Sequence, residues 1–474
     1  MYGLSRHELR FALVVSSAHF SQHVYYRILP PLIPVLAVAL EYPLWQLGLL
    51  ISMYAIGMGV VQAPLGMLSD RMDRRYLLPT GVVLTGAAYV LFAAAPVLGE
   101  PLPSVTLAGS VFEGGFLVMS LAMLAVGVGL AVVHPTGYPM ITDNVGTSNK
   151  GKVLGVFGAS SKLGDAAAPA VVAVAILLLA WQQIIVLFGV VGVAYGVVLY
   201  VVLGSDEFET RPAGTRTGTD DGRGDDGRDD TGDVPDDRDD TGDVPDDHDG
   251  DAEASGDPAA NDRRTFLYPM VAVYLFFITS MLSTRGLNTF LPAFVVAVYA
   301  YSFEIAGVHV GAESVASAYF SVLLLAGAAM QLVLGSATDA HDPRVVLLGC
   351  MAVATVGMVV FAIAPLHPVL LVVVLVVLGT GLYGVNPARD ALISDLSPPE
   401  YEGRTFGYVF TAVTLTGAPL PAAIGYLLDV VGMRDGFLLL AVGPLLAGVC
   451  IALLYSDRVY APAGETAADV EAAD

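Results

Sequence analysis

Apolar runs long enough to cross about 30 Å of hydrocarbon begin near residues 11, 45, 76, 116, 153 and 182, and a second set begins near 266, 314, 344, 368, 404 and 434. The pattern predicts twelve transmembrane helices in two sets of six. Between the sets, residues 205–264 hold 22 acidic and 7 basic side chains, and the run Asp-Asp-Thr-Gly-Asp-Val-Pro-Asp-Asp repeats from Asp229 and from Asp239. Such a stretch has too little apolar surface to bury and is expected to stay disordered. The chain therefore divides into a six-helix bundle at 1–204, an acidic disordered linker at 205–264, a second six-helix bundle at 265–456 and an acidic tail at 457–474. The expected fold class is an all-α membrane protein of two pseudo-symmetric bundles.

The two sets are copies. Gly66, Asp70, Asp73 and Arg75, just after the second apolar run, recur as Gly335, Asp339, Asp342 and Arg344 at an offset of 269, with Gln62 and Gln331 one turn earlier. At an offset of 252, Gly127-x-Gly129-Leu130, His134-Pro135, Asp143, Gly151-Lys152 and Gly155 match Gly379-x-Gly381-Leu382, Asn386-Pro387, Asp395, Gly403-Arg404 and Gly407. Leu29-Pro30 and Leu291-Pro292 align the first helix of each set at 262. A duplicated membrane bundle with a site between its halves is a common plan for transporters.

Composition agrees with a membrane protein. Hydrophobic residues make up 55% and charged residues 14%, and the mean hydropathy is +0.68, outside the range of ordinary soluble domains. The formal net charge of -23 resides mostly in the linker, so it says little about a path through the membrane. A calcium reading of the Asp repeats lacks the Glu and the alternating ligand spacing of an EF-hand loop. Few lysines against many arginines, with abundant Asp, suggest a host with high internal salt. Cys350 and Cys450 lie within spans, which argues against a structural disulfide.

Orientation follows from the basic residues, which concentrate in short cytoplasmic loops. Arg6, Arg10, Arg71, Arg74, Arg75, Lys150, Lys152, Arg344 and Arg404 fall on one side of a twelve-span arrangement, against Arg434 on the other. Both termini are expected in the cytoplasm, with the protein in the plasma membrane. The first apolar run is too long and too polar for a cleavable signal peptide.

Ionisable groups inside spans are costly and point to function. His19, His23 and Arg27 recur every fourth residue, placing all three on one helix face toward a central cavity. Arg285 is the half-repeat counterpart of His23, and Asn288 that of Tyr26. Two readings stand: a site for an anionic or strongly polar solute, or arginines bracing helices through backbone carbonyls. His19 and His23 also have the spacing of zinc ligands, but no third ligand is evident, and no metal is expected. Lys162 and Asp165, about one turn apart, form either an internal ion pair or a proton carrier with its balancing charge. His134 and Asn386 each precede a proline that should kink its helix; His134 is either a titrating group or a helix-end histidine satisfied by a carbonyl. Gln62 and Gln331 belong either to the cavity and the interface between halves or to core packing.

The loop Gly66, Asp70, Arg71, Arg74 and Arg75 resembles the signature of the major facilitator superfamily of secondary transporters, with Asp73 where that family has a second glycine. The resemblance covers nearly the whole chain apart from linker and tail. In the loop, Gly66 would let its helix end close against a neighbour, Asp70 would accept hydrogen bonds from a helix N-terminus, and the arginines would pair with carboxylates, locking one face shut until the halves rock. The half-repeat Gly335, Asp339, Asp342 and Arg344 is assigned the same gating role. Proton-coupled drug antiporters of the superfamily carry an Arg where Met123 stands, which weakens that assignment, although His134-Pro135 resembles fosmidomycin-resistance-type exporters.

Gly146-Thr-Ser-Asn-Lys150-Gly151-Lys152 is one residue short of a phosphate-binding loop, lacks its Ser/Thr and follows a membrane helix. No ATP, nucleic acid or cofactor is expected, and no enzyme. The expected function is alternating-access movement of a small organic anion coupled to protons by a monomer in the bilayer. Efflux of amphipathic drugs and a non-transporting sensor of the same fold are the alternatives.

Overall fold

The computed structural model describes residues 3–212, 266–397, 409 and 412–460, apart from 108, 206 and 457. Among the described residues, eleven helices are long and apolar enough to cross a membrane: α1 Arg6–Leu40, α2 Leu44–Ser69, α3 Arg74–Gly99, α4 Gly114–Asn144, α6 Trp181–Leu203, α7 Tyr268–Val298, α8 Ala312–Ala340, α9 Pro343–Ile363, α10 Pro368–Leu396, α11 Ala412–Val431 and α12 Met433–Tyr455. The twelfth, α5, spans Thr147–Ala175; Lys150, Lys152, Lys162 and Asp165 make it less apolar than the others. Helices satisfy their own backbone polar groups, which hydrocarbon cannot do. Each helix begins within a few residues of its expected start, except that the start expected near 404 lies outside the described residues, as does nearly all of 205–264.

Prolines set the bends. The backbone of α1 breaks between Tyr26 and Leu29, ahead of Pro30, Pro31 and Pro34, which lack N–H donors and clash with the preceding turn. Its counterpart α7 keeps only Pro292 of that set and runs unbroken. In α4 the break falls at Ala131 and Val132, and in α10 at Gly384 and Val385, in each case just before the duplicated His-Pro or Asn-Pro.

Two short hairpins not foreseen in the sequence decorate the end away from the termini. β1 (Val105–Leu107) pairs antiparallel with β2 (Ser110–Phe112), and β3 (Phe303–Ile305) with β4 (Val308–Val310). The second turns on Ala306 and Gly307, at φ 52° and 80°, the left-handed pair that a two-residue hairpin turn requires.

The halves meet at the hairpin end. At Gly48 of α2, any Cβ would collide with the carbonyl oxygen of Pro421 in α11, so only glycine admits this crossing. Asp429 of α11 accepts hydrogen bonds from the backbone N–H of Leu44 (3.1 Å) and Trp45 (2.9 Å), the exposed donors of an α2 N-terminus that Pro43 leaves without a side-chain cap. Ser314 and Ser321 of α8 donate to the carbonyls of Ala173 and Ala166 in α5. Toward the terminal end, a Cβ added at Gly66, Gly151, Gly155 or Gly158 would meet no described atom within 4 Å. Among the described residues, these contacts between the halves lie from mid-depth to the hairpin end.

Candidate functional site

The α1 stripe packs on α5 because Gly164 brings the helices together: a Cβ there would collide with the Phe20 carbonyl oxygen. The next residue, Asp165, thereby reaches α1. Its Oδ1 accepts from Arg27 Nε at 2.8 Å and from His23 Nδ1 at 3.1 Å. Arg27 and Asp165 are less than a tenth exposed, so each charge depends on the other. The Arg27 guanidinium also lies over the Tyr26 ring, 4.8 Å from its centroid.

One turn earlier on α1, His19 is 4% exposed. Its ring stacks on Phe157 of α5 at 3.9 Å and stands edge-on to His23 at 4.9 Å and to His134 of α4 at 5.0 Å. His19 Nδ1 lies 2.7 Å from the Phe157 carbonyl oxygen. A carbonyl only accepts, so Nδ1 carries the proton.

The second half enters through α7. Arg285 donates from Nη1 to the Tyr26 hydroxyl at 2.9 Å, and the Tyr26 ring meets Tyr54 of α2 edge-on at 5.1 Å. Tyr383 of α10 donates to Asn288 Oδ1 at 2.6 Å, and Gln331 of α8 donates to the Tyr383 carbonyl at 2.9 Å. His19, His23, Arg27, His134, Asp165 and Arg285 thus form one connected polar patch at the junction of the halves.

Other expected positions fall elsewhere. Lys162 makes no ion pair with Asp165; the carboxylate is taken by Arg27 and His23, whose helix α5 meets closely at Gly164. Lys162 stays within electrostatic range of Arg27 and Asp165 and of Arg389 and Asp390 in α10; the last two pair at 2.7 Å. Asn386 is half-buried at the α10 break. Gln62 is exposed, whereas Gln331 serves α10.

The duplicated loop divides its labour differently from the sequence expectation. Asp70 is exposed at the C-terminus of α2, and Asp73 is the residue that caps a helix, accepting from the Arg75 N–H at 3.0 Å. Asp342 does the same for α9 from the Arg344 N–H at 2.8 Å. Arg74 is buried and pairs with Asp143 of α4 at 2.7 Å while also donating to Ser69. Arg75 pairs with Asp73 at 3.0 Å. Arg71 and Asp339 are exposed. Gly66 and Gly335 have no close backbone neighbour, so the close approach expected at Gly66 is not made among the described residues.

Sequence reasoning missed Tyr54, Tyr383 and Asp429. The tyrosines sit in apolar runs with no spacing signal, but a lone carboxylate within the eleventh span was a cue of the same kind that singled out Asp165.

A model of the Major Facilitator Superfamily matches residues 15–323 and 308–472. The chain belongs to this superfamily. It is accordingly a membrane transporter and not an enzyme. Among curated proteins it is similar to the probable L-galactonate transporter of Escherichia coli (strain K12), 27% identical over 157 residues, covering 33% of this chain and 31% of that protein. The match thus spans about a third of the relative's length. Among solved structures, a bacterial homolog of the human lysosomal transporter Spinster, inward-facing and unoccupied, superposes with a TM-score of 0.70 at 14% identity, covering 97% of this chain and 100% of the other. The peptide transporter POT in complex with sulfate gives a TM-score of 0.66 at 13% identity, with 95% of each chain covered. At such identities these likenesses establish the superfamily fold alone.

Proposed function

We propose that the protein moves a small organic anion across the cell membrane by alternating access, coupled to protons, as a monomer with both termini and the acidic linker in the cytoplasm. The observation that carries this reading is the balance of charge where the halves meet: among the described residues, Arg27, Arg285 and Lys162 stand against Asp165, while Arg389 and Asp390 satisfy each other. A carboxylate entering between the halves finds Arg285, whose hydrogen bond among the described residues goes to the neutral Tyr26 hydroxyl, and completes the charge that Asp165 leaves uncompensated. The partial likeness to a probable L-galactonate transporter supports a sugar acid or a similar hydroxy-carboxylate.

The end that carries the termini, on this reading, faces the cytoplasm, and the loop residues Gly66, Asp70, Arg71, Gly335 and Asp339 gate it, gaining partners when that end closes. Arg74, Arg75, Asp342 and Arg344 brace the same loops.

The test is ligand-induced thermal stabilisation of the purified protein in high salt, with one panel of aldonates and other small carboxylates and one of amphipathic cations. Stabilisation by a carboxylate, reversed in Arg285→Gln, is the expected result. Stabilisation by amphipathic cations only would turn the reading to drug efflux.

A further inference from the structure

We propose that His19 is a proton relay, set between His134 and His23, that delivers the coupling proton to His23 beside the Asp165–Arg27 pair. The inference rests on the proton-coupled reading above and assigns its path.

Two hydrogen bonds fix the chemistry. His19 Nδ1–H is committed to the Phe157 carbonyl at 2.7 Å. His23 Nδ1–H is committed to the Asp165 carboxylate at 3.1 Å, which accepts only, being ionised against Arg27 at 2.8 Å. In both neutral rings the remaining nitrogen, Nε2, is therefore a bare base. His19 Nε2 is buried and has no hydrogen-bond partner among the described residues, a costly state for a polar atom unless it has a use. Its ring stands 4.9 Å from that of His23 and 5.0 Å from that of His134. At 4% exposure and stacked on Phe157, His19 is too enclosed to touch a solute. A proton can reach it with a small ring rotation or through one water.

The transfer involves N–H bonds only. A proton bound to a ring nitrogen of His134 passes to His19 Nε2, giving an imidazolium that keeps its Nδ1–H on Phe157. The Nε2–H bond then breaks toward His23 Nε2, leaving His19 neutral in its original tautomer and His23 charged beside Asp165. Because the carbonyl holds one proton in place, the nitrogen that receives is the nitrogen that gives. The groups around this path are His23, Arg27 and Tyr26 on α1, His134 and Tyr138 on α4, Asp165 and Lys162 on α5, and Arg285 on α7. Tyr89 of α3 and Tyr195 of α6 are engaged by the Tyr25 carbonyl and Ser17 on α1.

The test compares wild type with His19→Asn, whose amide N–H can still donate to the Phe157 carbonyl but which offers no base. In proteoliposomes, anion-driven proton flux should fall on the order of 10²-fold, while anion counterflow, which needs no net proton movement, stays within about twofold. Unchanged proton flux in the variant overturns the relay and leaves anion transport standing. If wild type moves no anion at all, the functional reading fails instead, and nitrogen-15 NMR of the histidine-labelled protein decides the relay separately. The resonances missing from His19→Asn should belong to a ring protonated at Nδ1 and bare at Nε2 that gains a proton on acidification; a neutral ring protonated at Nε2 contradicts it. Where His19→Asn fails to fold, His19→Gln, which keeps the same amide donor on a longer side chain, assigns the resonances instead.

Discussion

Asp429 of one half caps the α2 helix of the other, accepting the Trp45 N–H at 2.9 Å. The bond exists only while the hairpin end is shut. It places a carboxylate on the positive end of a helix dipole, so it holds the seam between α2 and α11 together without a salt bridge.

Asp429→Ala should therefore loosen this end by about 1 kcal/mol, the ordinary worth of a helix cap, shifting the two-state balance roughly fivefold toward opening at the hairpins. Distance distributions between spin labels on the hairpin ends of α2 and α11 read the shift. An unchanged distribution means the cap is incidental to closure.

Asp165→Asn removes the counter-charge of a buried arginine. Stranding Arg27 should cost about 3–5 kcal/mol, seen as a lower unfolding temperature in detergent. Replacing both residues with apolar ones, Arg27→Met with Asp165→Leu, should recover much of that loss, and the double-mutant cycle measures the coupling. A single variant as stable as wild type would show that water already screens the pair.

Arg285→Gln keeps a donor for Tyr26 but removes the charge. If the anion engages that charge, affinity should fall by at least about 1.5 kcal/mol, or roughly tenfold. Equal affinity in titration calorimetry would assign Arg285 to bracing α7 against α1.

The twelve spans, the duplication and the prolines that break α4 and α10 were legible in the sequence because each is a local pattern: length, repeat or a missing N–H. The α1 stripe was legible for the same reason, since a spacing of four fixes a helix face. What joins that stripe to α5 was not. Asp165 faces Arg27 rather than its sequence neighbour Lys162 because Gly164 lets two distant helices touch, and an approach of that kind leaves no periodic trace. Likewise the motif's Asp70 drew attention, while the capping was done by Asp73, one residue ahead of α3 where an N-cap belongs.

Asp342 offers a check on the capping role away from the membrane core. Hydrogen bonds from the Arg344 side chain, chiefly, hold its carboxyl below the usual aspartate range. A depressed folded value contributes stability that is present above the unfolded pKa of about 3.9 and lost as pH falls through the lower folded value. Asp342→Ala should cost about 1 kcal/mol at neutral pH, and the gap to wild type should narrow in acid. A gap that stays constant down to strongly acidic pH would separate the cap from its ionisation.

An anion moved with protons through the junction of Arg27, Asp165 and Arg285 must produce a proton flux. Purified protein in high-salt proteoliposomes with an internal pH indicator would be challenged with aldonates and with amphipathic cations. A pH change evoked by a carboxylate, and shifted to at least roughly tenfold higher carboxylate concentration in Arg285→Gln, is the expected result. A response to amphipathic cations alone, or carboxylate uptake with no pH change, would contradict it.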